Sequence, residues 1–418
     1  MATSRRILAG GSALILGAAL LAGCSSDGKE TVRFAFSKRE AFDIVREMVS
    51  TFNAQSDDVR VILDTSGVDA TSAGFVRGNP PDIALANYNM ETARFVERCA
   101  LTDLSDTDAA ATIREDLEVL MDQYGVCDGR TSALPYSIMA SSVVYNVDLF
   151  EEVGVEVPTT WDELIAVCDT LMEAGVTPFY GTFKDPWTVG QGWYDYAVGG
   201  SLDVLEFYEA LEEEGADLGP DSPVSFEKDH LAPVEQMMQL ASTYTNPDAG
   251  SVGYNDGNTA FVGGEAAMYM QGPWAISELL RADAPPRIGT FPLPMTDDPA
   301  DLKVRVNVDL AAWIPADSRH QEAAREFLEF LYLPENIQAY NESQLGFTPT
   351  VDAPPPSQPE VEGMVAFYDA GAVYQGPSVL VPQTIPFFNY TQAMVLGSDP
   401  AQVLRTIDAD WARLAFRQ

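Results

Sequence analysis

Gly257-Asn258-Thr259-Ala260-Phe261-Val262-Gly263-Gly264-Glu265-Ala266-Ala267-Met268-Tyr269-Met270-Gln271-Gly272-Pro273-Trp274 is the stretch whose reading orders the rest of the chain. Its first half is small and helix-compatible, with Phe261 alone supplying bulk. Ala266 to Met270 reads as a short buried strand. Gly272 and Pro273 break that strand and turn the backbone sharply, so the indole of Trp274 is delivered at a strand's end. Two readings of Trp274 stand side by side. It is a core tryptophan after a turn, or a flat aromatic wall facing a cleft, of the kind that takes apolar ring faces.

The segments before it alternate strand and helix. Val32 to Phe36 predicts a strand, Ser37-Lys38-Arg39-Glu40 a loop, and Ala41 to Ala54 a helix with Phe42, Val45, Met48, Val49 and Phe52 on one face. Val59 to Leu63 is a second strand. Gly78-Asn79-Pro80-Pro81-Asp82 turns into a third, Ile83 to Ala86, which ends in Asn87-Tyr88-Asn89. This pattern predicts an open α/β sheet. Ligands of such sheets sit beyond the carboxyl ends of the strands, which puts Ser37, Lys38, Arg39 and Glu40 on one rim with Asn87, Tyr88 and Asn89. An acidic helix is predicted over Asp108 to Tyr124. Further on, Arg287 to Pro292 and Val304 to Ile314 are strands, and the second carries Asn307-Val308-Asp309 with Asp309 at a cleft edge. Trp187, Trp193, Tyr194 and Tyr196 follow a strand end at Phe179 and are dense for a core segment alone. Trp193 reads equally as helix core or as ligand contact.

Length and composition narrow the function. With 418 residues, two lobes are expected rather than one core. Hydrophobic content of 46% is ample for burial. The chain has 63 Asp+Glu against 24 Lys+Arg, a net charge of −39, which disfavours a nucleic-acid partner because phosphate binding needs a basic face. Arg5 and Arg6 precede an uncharged apolar run from Ile7 to Ala22, a secretory signal too short for a membrane span. In the oxidising compartment this implies, Cys99 and Cys127 flank the acidic helix and are expected to form a disulfide, with Cys168 a buried free thiol. No metal-ligand spacing occurs, and neither a metal nor a cofactor is expected. His230 and His320 are the only histidines, each in a polar helical context.

Leu21-Ala22-Gly23-Cys24-Ser25-Ser26 resembles the bacterial lipobox, which implies that Cys24 is the lipid-modified N-terminus, followed by a polar tether over 25–30. The spacing F-x-x-G-x-A-A-M-x-x-x-G-P-W of the opening stretch resembles the signature of extracellular solute-binding proteins of ABC importers, in the sugar-binding family that includes maltose-binding protein. Other passages are similar to that family in the same order. They are Asp128-Gly129 with Ala133-Leu134-Pro135-Tyr136 and Tyr145-Asn146, then Pro158-Thr159-Thr160-Trp161-Asp162-Glu163-Leu164, Ile314-Pro315-Ala316-Asp317-Ser318, and Gly346-Phe347-Thr348-Pro349-Thr350. Asp185-Pro186-Trp187 looks like the acid-Pro-aromatic triplet of sugar contacts in the family. The resemblance implies a two-lobe, type II periplasmic-binding-protein-like α/β fold with the ligand cleft between lobes and three hinge crossings, one at Pro334-Glu335-Asn336. The implied division is 1–24 signal and lipidated cysteine, 31–140 plus 276–332 for the first lobe, and 141–275 plus 333–418 for the second.

With that resemblance the cleft-wall reading of Trp274 is adopted. The candidate ligand-binding set is Trp274, Trp187, Asp309, Asn87, Glu40, Ser37, Gly272, Tyr254 and Phe347. Ser137-Ile138-Met139-Ala140-Ser141 has no acid where the family has a ligand-binding one, so the sugar is left open. The implied function is capture of a carbohydrate, an oligosaccharide, by a monomer held to the outer face of the membrane through its lipid only, for delivery to permease subunits. Two other ligand or activity classes remain compatible with the residues. A cationic ligand, such as a polyamine or quaternary amine, would use the same aromatics and acids. A secreted carbohydrate-active enzyme would need two carboxylates set across one bond, and no such pair, nucleophile elbow or phosphate loop stands out.

Overall fold

The computed structural model describes residues 28–122, 125–382 and 384–415. The signal segment and Cys24 lie outside the described residues. Among the described residues nine strands form one sheet: β1 Glu30–Ala35, β2 Val59–Asp64, β3 Ile83–Asn87, β4 Leu134–Asn146, β5 Thr177–Phe179, β6 Ala266–Gln271, β7 Ile288–Phe291, β8 Val304–Trp313 and β9 Val373–Gln375. Their order is β2-β1-β3-β8-β4-β6-β5, with β7 also paired to β4 and β9 to β8.

The predicted amino-terminal alternation is present. β1 pairs in parallel with β2 and β3, and the helix Phe42–Gln55 between β1 and β2 buries Val45, Met48, Val49 and Phe52. Those positions repeat at the helical spacing, so one apolar stripe meets the core. Phe52 packs edge-on against Phe327 and Phe330, with ring centroids 4.9 and 5.3 Å apart.

β4 and β8 join two cores. Residues Leu134 to Ser141 of β4 pair with β8, whereas Ser142 to Asn146 pair with β6 and β7. On one side lies a core built from Val32, Phe34, Phe52, Tyr136, Phe327 and Tyr340. On the other lies one built from Val143, Phe179, Trp193, Phe226, Met270 and Trp411. A third cluster under the middle of the sheet brings Ile138, Val306, Phe261, Tyr269 and Phe347 together. Two segments pack across the expected division. β7 bonds to Val143–Asn146, and Phe291, Leu293 and Met295 enter the core of Val143 and Phe150. The helix Pro334–Gln344 stays in the first core through Ile337 and Tyr340, with Pro334 at its first turn, where a missing N–H costs nothing.

Three further expectations are settled by packing. Cys99 and Cys127 are bonded, with Cα atoms 5.4 Å apart, and Cys168 is a buried free thiol. The acidic helix is broken into Asp108–Ala111, Glu115–Leu117 and Glu118–Asp122. At the break Ile113 bridges Thr350 and the Arg114 N–H donates to the Pro349 carbonyl at 3.0 Å, so tertiary backbone pairing overrides helix propensity. His230 is fully buried rather than in polar surroundings, because its side of the helix Phe226–Thr243 turns inward. Its ring sits 4.2 and 5.1 Å from those of Phe207 and Phe226, and burial pushes its pKa down to about 3.

Candidate functional site

The carboxyl ends of β1 and β3 open onto a cleft whose far side is built from the residues after β5 and β6. Two adjoining cavities, of about 370 and 310 Å3, share Lys38, Met139 and Trp274. The first is further lined by Ser37, Arg39, Asn87 and Asp309. The second is lined by Trp187, Gln191, Tyr254, Ser277, Glu278, Arg281 and Gln344. Each is of the size that small ligands occupy.

The first cavity has a polar wall. Lys38 and Asp309 form an ion pair whose side chains are only 9% and 10% exposed. The Asn87 amide donates to the Asp309 carbonyl at 3.0 Å and to its carboxylate at 3.3 Å. These groups arrive from three strands: Lys38 just past β1, Asn87 at the end of β3 and Asp309 in β8. Buried charge is tolerated here because each group has a partner.

The second cavity has an aromatic wall. Pro273 does more than turn the chain: it occupies the first turn of a helix, Pro273–Leu279, so Trp274 sits one residue inside a helix start. Gly272 is its N-cap, and a Cβ there would stand 2.4 Å from the indole ring and 2.8 Å from Ser141 Oγ. Only glycine lets the ring lie across the backbone. The indole N–H donates to Oε1 of the buried Gln271 at 2.9 Å, which fixes the ring plane. Trp187 begins a second helical run after Asp185 and Pro186, with its ring centroid 5.2 Å from that of Tyr254. Asp185 holds this pair by accepting the Tyr254 N–H at 2.7 Å. Trp187, Tyr254 and Trp274 are each half-buried, packed on one side and open on the other.

Of the nine candidate residues, Ser37, Asn87, Asp309, Trp187, Tyr254 and Trp274 line this cleft, and Gly272 lies directly beneath Trp274. Glu40 belongs to the one-turn helix Arg39–Ala41, and its side chain is outside the described residues. Phe347 is not brought to the cleft: it is a core residue, its ring 4.4 Å from that of Tyr368, and its backbone exchanges hydrogen bonds with Ile138. Trp193 is core as well, edge-on to Phe179 and Phe183. Lys38 and Arg39 stand on the rim where the sequence put residues 37–40, though neither was among the nine; sequence reading missed Met139, Gln191, Ser277, Glu278, Arg281 and Gln344 as cleft residues. Ser277, Glu278 and Arg281 follow Trp274 at helical spacing, a signal that was hidden while Gly-Pro was read as a turn alone. Among the described residues no group of three His, Cys, Asp or Glu side chains could hold a metal, and no helix is long and apolar enough to cross a membrane.

Comparison with known proteins bears on this geometry. The family model for bacterial extracellular solute-binding proteins matches residues 37–338. An uncharacterized ABC transporter extracellular-binding protein of Pyrococcus horikoshii is 25% identical over 282 residues, which are 66% of this chain but 60% of that protein's length. The multiple sugar-binding protein of Streptococcus mutans is 24% identical over 334 residues, 77% of each chain. The structure of RafE of Streptococcus pneumoniae in complex with raffinose superposes with a TM-score of 0.78 at 21% identity, covering 93% of this chain and all of that one. At that identity the likeness speaks for the fold alone, the two-lobe type II α/β architecture. With more than half its length matched by the family model, this chain belongs to the bacterial extracellular solute-binding proteins.

Proposed function

We propose that this chain binds an extracellular sugar, an oligosaccharide, in the cleft between its lobes and delivers it to the permease of an ABC importer. The observation that carries the reading is the opposition of two walls around shared cavities. Trp187, Tyr254 and Trp274 offer flat apolar faces, and Asn87, Lys38 and Asp309 offer fixed donors and acceptors. A pyranose has this dual character, with C–H faces for aromatic rings and a rim of hydroxyls for polar groups. The raffinose complex of RafE makes a trisaccharide a sensible first probe.

A cationic guest is disfavoured by charge. Lys38, Arg39 and Arg281 line the two cavities, against Asp309, which Lys38 already engages, and Glu278. A cage for an amine needs acids left free to face it. Binding without catalysis is the reading, because glycoside hydrolysis needs a proton donor and a second carboxylate across one bond, and Asp309 is already engaged by Lys38 and Asn87. We also propose that the first lobe comprises about residues 30–141 with 304–344, and the second 142–295 with 373–415, following the two cores. Cys24 carries the lipid that holds a monomer to the membrane surface.

Calorimetric titration of the mature protein with di-, tri- and tetrasaccharides including raffinose, set beside spermidine and choline, tests this reading. Saturable binding of an oligosaccharide is expected. Binding of the amines alone, or turnover of a bound oligosaccharide, overturns it.

A further inference from the structure

A buried ion pair that lines neither cavity reaches both walls of the cleft. The helical run Pro186–Thr188, Val189–Tyr194 and Asp195–Gly199 carries Trp187 and Gln191 at its cleft end. Its middle segment is a π-helical turn, a wide and uncommon form found mostly at functional places. Asp195 follows that turn and is 0% exposed. Its Oδ2 accepts from Arg305 Nε and from Ser378 Oγ, each at 2.8 Å, and its Oδ1 accepts from the Ser378 backbone N–H at 2.8 Å. Gly376 passes so close that a Cβ would meet Oδ2 at 2.2 Å.

From this junction three paths lead to the cleft. Along the helical run it reaches Trp187. The neighbouring Tyr196 donates its hydroxyl to the Gln271 carbonyl at 2.7 Å, and Gln271 in turn holds the Trp274 indole. Arg305 donates through Nη1 to Asn307 at 2.9 Å. Arg305 and Asn307 are two positions apart on β8 and so project from one face of the strand, and Asp309 follows where β8 shifts register against β4. Asn307 stands opposite Met139, which lines both cavities. Arg305 itself stands opposite Ser141, the last β4 residue to pair with β8 before β4 turns to β6 and β7.

Stability alone does not account for such a pair. Apolar side chains of the same volume serve a core as well or better, because charges lose their hydration on burial. Burial does push the Asp195 carboxyl up, opposed by the Arg305 charge and the Ser378 hydrogen bonds. What the pair supplies is direction, since three donors fix one carboxylate.

We propose that Asp195, Arg305 and Ser378 form a positioning junction that sets the aromatic wall of Trp187 and Trp274 against the polar wall on β8, so that sugar affinity depends on residues that touch no sugar. The proposal rests on the oligosaccharide reading above. Asp195→Asn keeps the shape of the side chain and removes the charge that orients Arg305. Ser378→Ala removes one hydrogen bond and leaves the ion pair in place. Raffinose, or the first oligosaccharide of the titration panel that binds, is the probe. Affinity is measured by calorimetry, and closure by the ligand-induced change in radius of gyration in small-angle scattering.

Asp195→Asn is expected to lose about tenfold in affinity and Ser378→Ala about threefold, since the first removes the charge that orients Arg305 and the second only one of three donors to the carboxylate. Both are expected to show a reduced or absent scattering change at saturation, which a merely structural role would leave intact. A folded Asp195→Asn protein with the affinity and scattering change of the parent overturns the proposal. If Asp195→Asn does not fold, Ser378→Ala decides by the same two measurements. If the parent binds no oligosaccharide, the sugar reading fails separately. The junction is then judged by ligand-free scattering of Ser378→Ala, for which an unchanged profile overturns it.

Discussion

Replacing Trp274 with alanine separates a cleft wall from a core tryptophan, and the structure sets the size of both effects. The indole is half-buried, lies across Gly272 and donates to Gln271 at 2.9 Å. Truncating a wholly buried tryptophan costs about 3–5 kcal/mol of stability. A half-open ring forfeits part of that, and the exposed gap fills with water. Gln271 loses one donor, worth about 1 kcal/mol. The expected stability loss is therefore about 2 kcal/mol, read as a shift in urea midpoint at constant slope. Against a bound sugar the same ring supplies apolar contact over a whole face, and truncating such an aromatic anchor costs about 2–4 kcal/mol, or roughly 30- to 900-fold in Kd. Trp274→Phe should keep most of the stacking and lose the hydrogen bond. Gly272→Ala should act on affinity without removing the ring, because its Cβ meets the indole at 2.4 Å and must displace it. Calorimetry with raffinose and urea unfolding of the three variants give the two readouts. A folded Trp274→Ala protein with unchanged sugar affinity would falsify the assignment, and so would a Gly272→Ala protein that binds as the parent does.

Cys24→Ser is expected to shift the mature protein from the membrane fraction to the medium, scored by fractionation and mass spectrometry of the N-terminal peptide. The disulfide closes a loop with a sequence separation of 28, so Cys99→Ser with Cys127→Ser should lose about 3.5 kcal/mol in the chain-entropy model, measured by urea unfolding. His230 is neutral in the fold with its pKa near 3, whereas an unfolded histidine titrates near its ordinary value of 6.5. Between those two values the unfolded chain binds the extra proton, so stability is full above pH 6.5 and falls as pH drops toward 3. Its share of that slope, up to about 1.4 kcal/mol per pH unit, should vanish in His230→Phe, compared by urea unfolding at pH 7 and pH 5.

The strands that were legible are those whose pattern is local. β1, β2 and β3 alternate with helices and end in turn signals, and the rule that ligands gather at strand carboxyl ends puts Ser37 and Asn87 on one rim, where the cleft lies. β4 was legible only in pieces. Nearly every residue of Leu134–Asn146 is buried, so it has no alternation to mark its 13-residue length. Lys38 was on the predicted rim, but its role was not legible because its partner Asp309 lies 271 positions away. Asp195 and Arg305, 110 apart, were invisible for the same reason. Phe347 was misplaced by resemblance: the loop aligns, but its side chain turns under β4 toward Tyr368.

The continuity of the sheet constrains how the cleft can work. β4 pairs with β8 as far as Ser141 and with β6 from Ser142, so no break in hydrogen bonding separates the two cores. Relative movement must then be a change of twist at that switch, where small rotations of a few backbone dihedrals suffice. The polar wall hangs from β1, β3 and β8 on one side of the switch, and the aromatic wall follows β5 and β6 on the other, with Met139 between them. A ligand shifts such an equilibrium only by its difference in contact free energy between the two arrangements. A sugar long enough to touch Asp309 in the first cavity and Trp187 in the second gains contacts on closing and favours the closed form. A sugar that reaches one wall alone gains none, and binds without moving the lobes. The length of the ligand, more than its affinity for either wall, is therefore what this architecture can report to a partner.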